Sequence, residues 1–83
     1  MSINQEKYYT TSDLALAVTL SLYLPIETIN KIDLHKSLFI FKRDSELDKL
    51  ITNYWQKKIR VEPQTYFQQI RTVKSRLYEE VQK

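Results

Sequence analysis

A chain of 83 residues, 42% of them hydrophobic and 28% charged, is sized for a single domain over residues 1–83 with a compact core and charges left in water. The absence of cysteine, the single histidine His35 and the absence of glycine exclude disulfides, thiolate zinc sites, thiol nucleophiles, a self-contained histidine triad and glycine-built phosphate loops. The net charge of +3 permits an acidic partner without demanding one, and no metal or cofactor is expected.

Residues 1–7 are polar and are expected to be frayed. Tyr8, Tyr9 and Thr10 have the aromatic and β-branched character of a short strand. Ser12 is placed to cap a helix, with Asp13 in its first turn. The large residues of 14–24 alternate as in a strand, whereas its small residues suit a closely packed helix, so periodicity alone does not decide. Its length, its alanines and leucines and the cap favour a helix, ended by Pro25. The stretch is too short to span a bilayer and carries no basic cluster before it, so a cytoplasmic protein with no membrane role is expected.

Residues 26–32 and 37–42 are both rich in β-branched or aromatic residues, and the four positions between them suit a hairpin connection. The second of these strands, with Leu38, Phe39, Ile40 and Phe41, is apolar on both faces, so both faces call for cover. One face is expected to meet helices. The other makes a homodimer interface through Phe39 and Phe41 a candidate.

Asp44, Ser45 and Asp48 open a helix over 44–58, with Leu47, Leu50, Ile51 and Tyr54 on one stripe, Trp55 beside it, and Lys57 and Lys58 in the last turn. Residues 59–61 read as an extended link or a very short strand. Pro63 then starts a second amphipathic helix to about residue 81, with Tyr66, Ile70, Val73, Leu77 and Val81 as its apolar stripe and Phe67 and Tyr78 flanking it. At 100° per residue Lys74 falls inside the edge of that stripe, Arg71 just beyond it and Arg76 on the opposite face.

The segment Tyr8-Tyr9-Thr10-Thr11-Ser12-Asp13-Leu14-Ala15-Leu16-Ala17, the strand Phe39-Ile40-Phe41, the run Leu50-Ile51-Thr52-Asn53-Tyr54-Trp55 and the closing Lys74-Ser75-Arg76-Leu77-Tyr78 together resemble a small prokaryotic family, domain of unknown function 5659. The resemblance covers about residues 8 to 78. It implies a small domain with the same order of elements, and it brings no activity, cofactor or binding residue. Where the family tends to have a glycine after the first helix this chain has Leu24-Pro25, which leaves the geometry of that turn open.

Charge is unevenly distributed. Lys7, Lys31 and Lys36 against Glu6, Asp13, Glu27 and Asp33 leave residues 1–41 at −1, while ten basic against six acidic residues leave 42–83 at +4. An anion-seeking surface is therefore expected in the C-terminal half, from Lys57, Lys58, Arg60, Arg71, Lys74 and Arg76, with Trp55, Tyr66, Phe67 and Tyr78 in the same region. The simpler reading makes the aromatics core and the cations a solvated face. Lys74, at the edge of an apolar stripe, must snorkel, pair or face a binding surface.

His35 with Asp33 is too thin a ligand set for a metal, and the acidic pairs Glu79 with Glu80 and Glu46 with Asp48 are not spaced to face one another across a substrate. An enzyme is not expected. Ribbon-helix-helix repression is excluded because the strand has only Ser37 and Lys42 to offer bases, and a helix-turn-helix is strained by the extended 59–62 link. The fold expected is α+β: a short N-terminal strand, a helix, an antiparallel hairpin, then two amphipathic helices packed on the sheet. The expected role is a non-catalytic binding module for nucleic acid or another polyanion, the alternative being a protein-interaction adaptor that meets an acidic protein.

Overall fold

The computed structural model of the chain describes residues 7–33 and 35–81. The expected fraying falls mostly on residues 1–6, outside these. The fold is α+β: strand β1 (Tyr8–Thr11), helix α1 (Leu14–Ser21), strands β2 (Ile26–Lys31) and β3 (Ser37–Lys42), then helices α2 (Ser45–Trp55) and α3 (Pro63–Val81). The three strands form an antiparallel sheet in the order β1-β3-β2. The twice-apolar strand is thus the central one, flanked on both edges.

The helical alternative for residues 14–24 prevails, in shorter form. Asp13, one residue later than expected, caps α1 by accepting from the Leu16 amide, while Thr11 Oγ1 accepts from the Asp13 amide and Ser12 caps nothing. The helix ends at Ser21, and the chain turns through Leu22–Leu24 on backbone bonds to Thr19 and Leu20 before Pro25 leads into β2. Leu16, Ala17, Val18, Thr19 and Leu20 are all buried, which is why no amphipathic period marked this segment. Thr19 is accommodated because its hydroxyl donates to the Ala15 carbonyl at 2.9 Å.

Strand β2 departs from simple alternation. Ile26 pairs with Phe41 and Thr28 with Ile40, so Glu27 is an extra residue in a bulge. That insertion lets Ile26 and Ile29, three residues apart, face the same side as Phe39 and Phe41. All three helices pack on this side. Leu16, Val18 and Leu20 of α1, Leu47 of α2 and Val73 of α3 close a single core with the two isoleucines and two phenylalanines.

Phe39 and Phe41 are 3% and 0% exposed. They lie in the chain's own core, so the expected homodimer interface is not carried by these two side chains; the cover their strand requires comes from the helices of the same chain. Ile40 faces the other side of the sheet, between Thr10 of β1 and Thr28 of β2, and is 6% exposed.

Helix α2 is capped by Asp44, which accepts from the Leu47 amide at 2.8 Å; Asp48, expected to share in a capping box, instead pairs with Arg43 at 3.2 Å. The helix stops at Trp55, so Lys57 and Lys58 lie past its end. Residues 59–62 form no strand. Glu62 caps α3: its carboxylate accepts from the amides of Thr65 and Gln64 and from the Thr65 hydroxyl, which holds its pKa below the usual carboxylate value.

Candidate functional site

The six cations expected to act together fall into three places. Lys57, Lys58 and Arg60 lie in the link after α2. Helix α2 ends in a Schellman arrangement, with the Lys58 amide donating to the Asn53 carbonyl and the Lys57 amide to that of Tyr54. This puts Lys57 at φ 61°, the left-handed position usually held by glycine, which the chain does not contain. Lys57→Gly is expected to raise the unfolding free energy by about 0.5–1 kcal/mol, the relief of the Cβ clash outweighing the added chain entropy. A urea titration checks this; an unchanged or lower midpoint counts against a strained Lys57.

Arg60 folds back on the same link, its Nη1 donating to the Lys57 carbonyl at 2.9 Å and to that of Ile59 at 3.4 Å. Its charge therefore sits near the negative end of α2. Lys57 and Arg60, with Ile59 and Val61 of the same link, line an open cleft of about 450 Å³ whose other walls are Thr19, Tyr54, Trp55 and Tyr66. Trp55 stands edge-on to Tyr54, with ring centroids 5.0 Å apart, and is 60% exposed. Burial, reinforced by the charge of Asp13, pushes the Tyr54 pKa up.

On α3 the buried side runs through Tyr66, Gln69, Ile70, Val73, Arg76 and Leu77. One expectation reverses here. Arg76, assigned to the outer face, is half-buried and reaches β2, donating from Nη1 to the Ile26 carbonyl at 2.9 Å and from Nη2 to that of Glu27 at 3.4 Å. It holds the bulge, not a ligand surface. Lys74, placed at the edge of the apolar stripe, is exposed, with half-buried Ile70 and Leu77 four residues before and three after it.

The outer face of α3 carries Phe67, Arg71, Lys74 and Tyr78. These recur at i, i+4, i+7 and i+11, so they share one side of the helix, and about 16 Å of helix rise separates the Cα atoms of Phe67 and Tyr78. Phe67 is 63% and Tyr78 59% exposed, although both were read as flanking the core stripe. No acidic residue falls in this row, and neither cation is in an ion pair among the described residues. Two exposed rings bracketing two available cations form the strongest feature of the surface.

Two lysines and a histidine outside the expected set also converge. Lys31, His35 and Lys36 line a cavity at the hairpin end of the sheet, beside Tyr78. Charge summation placed them in a near-neutral half of the chain. The signal available was local: Lys31 is two residues from Ile29 and so faces the same side of β2.

Among the described residues, no three His, Cys, Asp or Glu side chains group to hold a metal ion, and no helix is long and apolar enough to cross a membrane. No curated protein and no solved structure matches the chain. A family model described as "Domain of unknown function (DUF5659)" matches residues 6–79, and with nearly the whole chain covered, the protein belongs to that family.

Proposed function

We propose that this chain is a non-catalytic cytoplasmic module that binds single-stranded nucleic acid along the outer face of α3. The observation that carries this reading is the row Phe67, Arg71, Lys74 and Tyr78, in which the two rings stay more than half exposed with cations between them. Exposed rings have no reason to remain in water for the sake of the fold, and an unpaired base supplies a flat surface to cover them. Arg71 and Lys74 then meet the phosphates between stacked bases. The cleft at the start of α3 extends the same chemistry, since Trp55, Lys57 and Arg60 line it, with Lys58 alongside in the link. A duplex, whose bases are already stacked, leaves the two rings uncovered.

The test is fluorescence anisotropy with labelled single-stranded DNA and RNA and with duplex, at low and physiological salt. Binding at about 10⁻⁶ M or tighter that survives physiological salt and favours single strands is expected. Arg71→Glu with Lys74→Glu should weaken it at least about tenfold and flatten the salt slope by about 1.4, the share of two phosphate contacts. Phe67→Ala should cost at least about fivefold without changing that slope. No binding at physiological salt, or unchanged affinity in the folded double variant, overturns the reading and turns this face towards an acidic protein partner.

A further inference from the structure

The face of the sheet that packs on the helices is longer than the helical layer over it. Ile26 and Phe41, then Ile29 and Phe39, are cross-strand pairs inside the core, but the next pair on that side is Lys31 with Ser37. Here the core gives way to a cavity of about 500 Å³ between the hairpin, the start of α1 and the end of α3. Lys31 and Lys36 supply its positive charge and His35 an imidazole, and among the described residues no carboxylate lines it. The nearest acid in the turn, Asp33, has one oxygen engaged by the His35 amide at 2.7 Å. Among the described residues neither lysine is in an ion pair.

The remaining walls define what fits. Ser12 and Ser37 add hydroxyls, Phe39 and Leu77 an apolar floor, and the exposed ring of Tyr78 one side. Two ammonium groups, an imidazole and hydroxyls suit a dianionic phosphate, while the floor and the tyrosine suit a flat, weakly polar group attached to it.

We propose that this cavity binds a nucleoside monophosphate group, with the phosphate at Lys31, His35 and Lys36 and the base against Tyr78. Side chains here do what a glycine loop does with backbone amides in other nucleotide sites, which a chain without glycine cannot build. The group is either a free nucleotide or the phosphorylated end of a strand. The site shares only Tyr78 with the outer face of α3 and does not depend on that face binding oligonucleotides.

Amide chemical-shift mapping of the full chain titrated with AMP tests the proposal, with adenosine and inorganic phosphate as the separate halves. Saturable shifts at His35, Lys36, Ser37 and Tyr78 are expected, with tighter binding than either half shows. Lys31→Gln with Lys36→Gln should weaken AMP roughly tenfold, while Arg71→Glu with Lys74→Glu leaves it unchanged. Absence of saturable shifts, shifts confined to the outer face of α3, or unchanged affinity in the folded Lys31→Gln, Lys36→Gln variant overturns the proposal. Competition by a 5′-phosphorylated but not an unphosphorylated oligonucleotide identifies a strand end as the source, and competition by neither identifies a free nucleotide. AMP binding without oligonucleotide binding keeps this site and removes the reading of α3.

Discussion

Replacing Phe41 with alanine is expected to remove most of the chain's stability, leaving it only marginally folded at room temperature. Phe41 is 0% exposed, sits in the central strand opposite Tyr9 on one side and Ile26 on the other, and belongs to the core that all three helices share. Phenylalanine-to-alanine changes at such sites cost about 3–5 kcal/mol, because the lost transfer free energy is joined by a cavity that rigid neighbours cannot fill. Domains as a class have about 5–15 kcal/mol to lose, and the smallest lie at the bottom of that range. The mutation therefore removes most or all of the stability.

Circular dichroism with a urea titration measures this, alongside Phe41→Leu, which keeps most of the volume and should lose much less. Light scattering on the same samples separates burial within the chain from burial between copies. A side chain at an interface would give, on removal, a folded species of half the mass. A loss of about 3–5 kcal/mol with no such species is the expected result, and a Phe41→Ala variant destabilised by less than about 1 kcal/mol would contradict the placement of Phe41 in the core.

Arg76→Met is expected to lower stability by about 2 kcal/mol while leaving oligonucleotide affinity where it was. Methionine retains an unbranched stem along α3 but removes the donors to Ile26 and Glu27, and hydrogen bonds from a charged group are worth about 1.5–3 kcal/mol. The loss should exceed that for Arg71→Met on the outer face of the same helix, where surface changes fall within about 0.5 kcal/mol. Arg71→Met should instead weaken oligonucleotide binding. Were the two variants to behave alike in either measurement, the division of α3 into a face that holds the sheet and a face that meets a ligand would fail.

That division shows where local pattern stops. The centre of the α3 stripe, Ile70, Val73 and Leu77, is unmistakable from spacing, but spacing puts Lys74 inside its edge and Arg76 on the opposite face. Both side chains have a long apolar stem and a charge. Which one turns inward depends on what stands opposite. The bulge in β2 presents the carbonyls of Ile26 and Glu27 to α3, and a guanidinium, with its fork of donors, answers them. The partner is 49 to 50 residues away in the chain, and no window of sequence contains both.

The sequence by itself determined the order of the elements, the bounds of β3 and α3, the start of α2 and the α+β class, since each rests on caps, prolines and periods that act between near neighbours. It also determined that Phe39 and Phe41 must be covered. Tertiary structure alone decided what covers them, how short α1 is, and that Lys31, His35 and Lys36 gather beside Tyr78. The physical reason is the same in each case: hydrophobic burial is non-directional and satisfied by any apolar neighbour, so the pattern states the need for a partner, and only packing selects which residues meet it.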